Sequence, residues 1–216
     1  MHVIQRGVNR CEIFLDDEDR HHYCLLLRMA CERFAVRVHA FVLMDNHVHL
    51  LVSADRVGAV SSAIRLSGQS YVQAFNVRHQ RSGTLWLGAR FKPCLVQTEG
   101  YVLTVLRYIA LNPLRARMMA LPAEYRWSRV HTHLGVRKAS SSRRARSICI
   151  WAAMQPSGCL LCKMASCAFS PRARTVNLPP PHALGDPRFQ AMVERALDRP
   201  MTCCPRGRPD GENQMG

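Results

Sequence analysis

With 216 residues and 48% hydrophobic content, the chain is long enough for one domain with a real core plus an appendage. Its net charge of +15 and pI near 10.1 point to a polyanionic partner, nucleic acid first. No apolar run approaches the ~18–20 residues of a membrane span. The first residues, MHVIQRGVNR, lack a signal-peptide pattern, so the cytoplasm is the expected compartment.

HVIQRGV reads as a first strand. The acidic run Asp16 to Arg20 then opens a helix, because acids in a first turn suit the helix dipole. Leu25, Leu26, Met29 and Ala30 follow at helical spacing. Val36 to Met44 alternates and is β-branched, which predicts a strand. Asp45 and Asn46 mark a turn into a second strand, HVHLLV, so the two strands make a hairpin. Val60 to Val77 predicts a helix with Val60, Ile64, Tyr71, Ala74 and Phe75 on one face. Lys92 to Thr98 predicts a strand, and Glu99 to Leu111 a helix. That helix is expected to stop at Asn112, since a residue before proline is biased away from helical geometry. Cys11, Cys24, Cys31 and Cys94 lie in periodic segments and are expected to pack as small hydrophobes.

The stretch VLMDNHVHLLV carries the first chemistry. Strand side chains alternate, so His47 and His49 share a face, ~7 Å apart along the strand, and can converge on one cation. A bare His-x-His is cheap, and equally suits an ordinary strand surface. His131 and His133 repeat the pattern in a loop-like region and are read that way. What raises the first pair is the helix from Glu99. Its core stripe is Val102, Val105, Leu106 and Ile109, which leaves Thr104, Tyr108 and Asn112 on another face. Tyr108 and Asn112 are four apart and therefore neighbours. A tyrosine beside an oxygen ligand, facing a histidine pair, suits phosphoryl transfer. Tyr101, seven residues earlier, is a rival on nearly the same face, and Tyr71 a weaker one.

The motifs MDNHVHLLV, YVQAFNVRHQRSGTLWLGARFK, RYIALNPLRARMM and EYRWSRV resemble the REP-associated tyrosine transposases, which are single-tyrosine HUH or insertion-sequence-200-like transposases. The resemblance covers about residues 2–136. It implies an α+β fold, a central antiparallel sheet flanked by helices. It implies that His47 and His49 are metal ligands, that Asn112 sits where relatives supply a third, and that Tyr108 is the nucleophile. The metal would be Mg²⁺ or Mn²⁺. The reaction would cleave single-stranded, hairpin-containing DNA through a 5′-phosphotyrosine, and rejoin it by reversal. A homodimer is among the assemblies the resemblance allows. Arg6, Arg10, Arg81, Arg90 and Lys92 are candidate phosphate contacts, and Trp86 and Phe91 candidate base-stackers, with Trp86 equally readable as a core residue. The RGRP stretch Arg206 to Pro209 is similar to a minor-groove hook.

The resemblance breaks after residue 136. Lys138 to Pro181 holds seven Lys/Arg and no Asp or Glu, and shows no helical or strand period. The expected organisation is a transposase domain over 1–136, a disordered or frame-shifted segment over 137–181, and a short amphipathic helix with a basic tail over 182–216. Cys159, Cys162 and Cys167 offer a zinc-knuckle alternative that lacks an evident fourth ligand. Two other functions compete with an active transposase. One is a catalytically silent DNA-binding remnant. The other is a metal-dependent hydrolase with no tyrosyl intermediate.

Overall fold

The computed structural model describes residues 1–87, 91–97, 99–130 and 183–197. The segment expected to be irregular, the Cys159–Cys162–Cys167 cluster, His131, His133, Arg90 and the RGRP stretch lie outside them.

The elements run β1 (His2–Arg6), α1 (Asp17–Arg33), β2 (Arg37–Met44), β3 (His47–Ser53), α2 (Ala59–Arg78), β4 (Lys92–Val96), α3 (Glu99–Arg115), β5 (Ala183–Leu184) and α4 (Pro187–Leu197). The sheet order is β2-β3-β1-β4-β5. The first four strands are antiparallel neighbours, flanked by helices, which makes the domain the expected α+β sandwich. β5 adds a short parallel rung, with Leu95 opposite Ala183 and Val96 opposite Leu184.

Local chemistry explains the element ends. Asp16 caps α1 by accepting from the Asp19 amide at 2.9 Å, and Asp17, Glu18 and Asp19 fill the first turn. Asp45 and Asn46 make the β2–β3 turn, and the preceding loop grips it. Ile13 and Phe14 amides donate to the Asp45 carbonyl, and the Gly7 amide donates to that of Asn46. Gly7 is required by crowding: a Cβ there would lie 2.2 Å from the Cys11 carbonyl oxygen.

The helix expected from the acidic run forms as α1, with Tyr23, Cys24, Leu27, Ala30 and Cys31 buried and Leu25 and Met29 more than half exposed. One expectation fails: α3 does not stop at Asn112 but runs through Pro113 to Arg115. Proline there removes one amide donor, but the following amides continue the winding, with Ala116 donating to Asn112 and Met118 to Pro113.

Cross-strand partners share a face, as do alternate residues along a strand. In the β1–β3 register, Ile4 lies opposite His49, Arg6 opposite His47 and Gln5 opposite Val48. One face therefore carries Val3, Gln5, Val48 and Leu50, and the other His2, Ile4, Arg6, His47, His49 and Leu51. α1 and α2 cover the first face. There the Tyr23 hydroxyl donates to Gln5 Oε1 at 2.9 Å, and Tyr23, Tyr71, Phe14 and Phe75 form one aromatic cluster. α3 covers the second face across β2 and β3, burying Val105, Leu106 and Ile109. Each such side chain contributes about 1.5–3 kcal/mol on burial. Residues Tyr125–Val130 seal the outer edge of β2: Leu43 donates to the Trp127 carbonyl, and Arg129 to that of Phe41.

Candidate functional site

The site forms where α3 crosses β3 and β1. His49 is 2% exposed, and its Nδ1 lies 3.0 Å from Nε2 of His2, itself 3% exposed. The two rings stack with centroids 5.2 Å apart. The His47 ring stands edge-on to His49 at 4.9 Å. Its Nδ1 lies 2.6 Å from Asn46 Oδ1, and the Asn112 side chain lies close enough to raise its pKa slightly against the burial. Asn112 in turn donates from Nδ2 to the Tyr108 carbonyl at 3.0 Å. The Tyr108 ring meets His49 edge-on at 5.3 Å and His2 at 6.0 Å. The Arg115 guanidinium sits over the Tyr108 ring, 4.9 Å from its centroid.

Electrostatics keep the imidazoles neutral. Burial lowers His2 and His47 to about 4, and it lowers His49 well below its ordinary value, with further depression from His2 and His47. Arg6, opposite His47 on the same face, adds to the depression of both His47 and His49. A neutral imidazole keeps a lone pair for a cation.

That lone pair has a preferred place. With Nδ1 of His47 against an amide oxygen, the proton sits on Nδ1 and the lone pair on Nε2. Two imidazoles and an amide oxygen fit a divalent cation, Mn²⁺ better than Mg²⁺, which favours all-oxygen shells. Among the described residues no group of three or more His, Cys, Asp or Glu is arranged to hold a metal.

The other expected residues fall into three groups. Arg6 is at the site. Arg10 is exposed near it, in a left-handed pair with Asn9 (φ 60° and 51°), and the Asn46 side chain reaches its carbonyl. Lys92 takes the register position opposite Ile4. Arg81 is not brought to this group: it sits over the Phe75 ring at 5.6 Å, in the opposite helical layer. Trp86 and Phe91 pack against the core, and the Trp86 ring donates to the Gly68 carbonyl at 3.1 Å. Of the rival tyrosines, Tyr71 is buried in the α1–α2 layer with its hydroxyl donating to the Ile13 carbonyl. Tyr101 is half-buried, and it is Tyr108 whose ring meets both histidines.

Sequence reasoning missed His2 and Arg115. His2 carried a readable signal, since it alternates onto the face of Ile4 and Arg6. The adjacency of β1 and β3 needed to use that signal is not local. Arg115 lies two turns beyond Tyr108, and ending the helix at Asn112 hid it.

Comparison with known proteins bears on the family and the fold. The family described as "Transposase IS200 like" matches residues 1–112. A solved structure described as "Structure of the REP associates tyrosine transposase bound to a REP hairpin" has a similar fold. Its TM-score is 0.50 at 14% identity, covering 62% of this chain and 78% of that one. No curated protein sequence matches.

Proposed function

Because the chain belongs to the IS200-like transposase family, we propose that it cleaves and rejoins single-stranded, hairpin-containing DNA with Tyr108 as nucleophile. The observation that carries this reading is the Tyr108 ring set against His49, with Asn112 bonded to the Tyr108 carbonyl and close to His47. The solved relative bound to a REP hairpin supports hairpin DNA as the ligand.

The Tyr108 oxygen attacks a backbone phosphorus. The bond to the 3′ oxygen breaks, the phenol proton leaves to solvent, and the departing strand takes a proton to end as a 3′-hydroxyl. The phosphotyrosyl ester conserves the bond, so a new 3′-hydroxyl can displace Tyr108 without ATP. Arg115, over the ring, adds positive charge beside the reacting tyrosine and the phosphate it attacks. Arg6, Arg10 and Lys92 supply positive charge for the phosphates, while Asn46 holds the His47 ring and Asn112 lies close to it. A divalent ion held by His47, His49 and the Asn112 side chain would polarise the scissile phosphate.

The test is a denaturing gel with labelled hairpin DNA and Mn²⁺ or Mg²⁺. Wild type is expected to give a covalent complex, and Tyr108→Phe none. A complex that survives Tyr108→Phe but not Tyr101→Phe reassigns the nucleophile. DNA binding with no complex under either metal leaves a silent DNA-binding protein instead. Binding is expected to weaken with salt, with a log–log slope of about −0.7 per phosphate contacted.

A further inference from the structure

Two histidines of the site were anticipated as ligands, and the third, His2, has a different geometry. Its Nε2 points at Nδ1 of His49 and not into the space that His47 and His49 share. Both rings are almost completely buried, so neither nitrogen of this contact can be satisfied by bulk water. A hydrogen bond between two neutral imidazoles needs one donor and one acceptor. Two arrangements are open. Either His49 donates from Nδ1 and keeps a lone pair on Nε2, or His2 donates and His49 carries its proton on Nε2. In the second, the nitrogen remaining for a cation is already protonated.

We infer that His2 is a positioning residue, accepting the Nδ1 proton of His49 and so fixing the tautomer that leaves Nε2 of His49 open. This rests on the reading of His47 and His49 as cation ligands. The two ligands are then held by the same device with different partners. Asn46 Oδ1 accepts from Nδ1 of His47, and His2 Nε2 accepts from Nδ1 of His49. β1 supplies the acceptor because its antiparallel register against β3 brings His2 onto the His49 face, two residue pairs along from Ile4. The stacked ring also restrains rotation of His49, which Tyr108 bounds from the α3 side.

The test uses the whole chain, His2→Gln and His2→Phe. Glutamine places an amide oxygen near the position of Nε2 and can accept the same proton; phenylalanine fills the volume and cannot. Mn²⁺ affinity is read from the spin-resonance signal of the free aqueous ion, and the His49 tautomer from long-range proton–nitrogen spectra of the metal-free protein. The expected result is wild type and His2→Gln within about threefold of each other, with His2→Phe 10–100-fold weaker. His49 should carry its proton on Nδ1 in wild type. Either of two affinity results overturns the proposal: His2→Phe matching wild type, or His2→Gln failing as badly as His2→Phe. A wild-type His49 protonated on Nε2 overturns it too. If wild type takes up no Mn²⁺, the ligand reading fails, and the tautomer spectrum alone still decides the role of His2.

Discussion

The two faces of the sheet carry the same kinds of side chain to opposite ends. On the α1–α2 face, tyrosine hydroxyls are consumed internally: Tyr23 by Gln5 and Tyr71 by the Ile13 carbonyl. Its charges are matched as well. Arg78 bridges Asp16, Glu18 and Asp19, and His79 joins Asp19. On the α3 face, Tyr108 is half-buried beside neutral histidines, and the flanking charges Arg6 and Arg115 are basic. Residue type is therefore a poor guide to role in this fold. On the proposed reading, a structural tyrosine and the nucleophile differ in whether the hydroxyl is spent on a buried partner, as those of Tyr23 and Tyr71 are.

The largest effect should come from exchanging the two tyrosines' fates. Tyr108→Phe is expected to reduce covalent complex formation by on the order of a thousandfold or more. It should change stability by less than about 0.5 kcal/mol. Tyr71→Phe should do the reverse, retaining the complex while losing about 1–2 kcal/mol, because it strands the Ile13 carbonyl. Gel detection and urea unfolding measure both; a Tyr71→Phe protein that is stable but inert would collapse the distinction between the faces.

Next in size is the ion network. Asp19 is 2% exposed, accepts from the Leu15 amide, and meets Arg78 and His79. Asp19→Ala leaves the Leu15 amide without its acceptor and takes from His79 its partner and from Arg78 one of three carboxylates, so a loss of about 1–3 kcal/mol is expected in urea titrations. A change under about 1 kcal/mol would mean that the network is solvated in solution.

Acid separates the faces by pH window. Burial holds His2, His39 and His47 near 4, below the ordinary 6.5. Between these values the unfolded chain binds protons that the folded chain refuses. Stability from this source is complete above pH 6.5 and falls as pH drops toward 4, by at most about 1.4 kcal/mol per unit per histidine. Asp16 acts in the same sense, in a lower pH window. Its hydrogen bond from Arg78 holds the carboxyl below the usual 3.8, so its contribution persists above that value and is lost only in stronger acid. Urea midpoints from pH 7 to 4.5 should thus report chiefly His2, His39, His47 and His49, and His39→Gln should flatten the slope by about a quarter. A flat profile in that range would contradict the burial.

The smallest expected effect is at Arg115. Arg115→Met keeps the stem and removes the charge from the Tyr108 ring, so complex formation should slow by about tenfold with DNA affinity little changed. An unaltered rate would leave the contact as packing.

Much of this was legible in the chain. The hairpin announced itself through alternation on either side of Asp45 and Asn46, and the histidine face followed from period two alone. Tyr108 and Asn112 were placed on a common face by helical spacing. The illegible parts share a cause. Helical spacing placed α1 but not its buried face, which Tyr23 and the cysteines share with Leu27 while Leu25 and Met29 stay exposed. The end of α3 depended on tertiary support that outweighs the preference of a pre-proline residue. The distance of Arg81 from the site, and the closeness of His2, depend on which strands become neighbours, and no local pattern encodes that.

The rung between β4 and β5 sets a different kind of constraint. Leu95 and Ala183 are paired although 88 positions separate them, so the chain leaves the sheet edge and must return to it. For a pinned loop the entropy of closure grows only with the logarithm of its length; doubling it costs roughly 0.6 kcal/mol. Gln97 reinforces the return point, its amide group donating to Asp186 Oδ2 and accepting from the Asp186 amide. The register between β1 and β3 has no such slack: a single-residue slip there would turn His47 and His49 away from Tyr108.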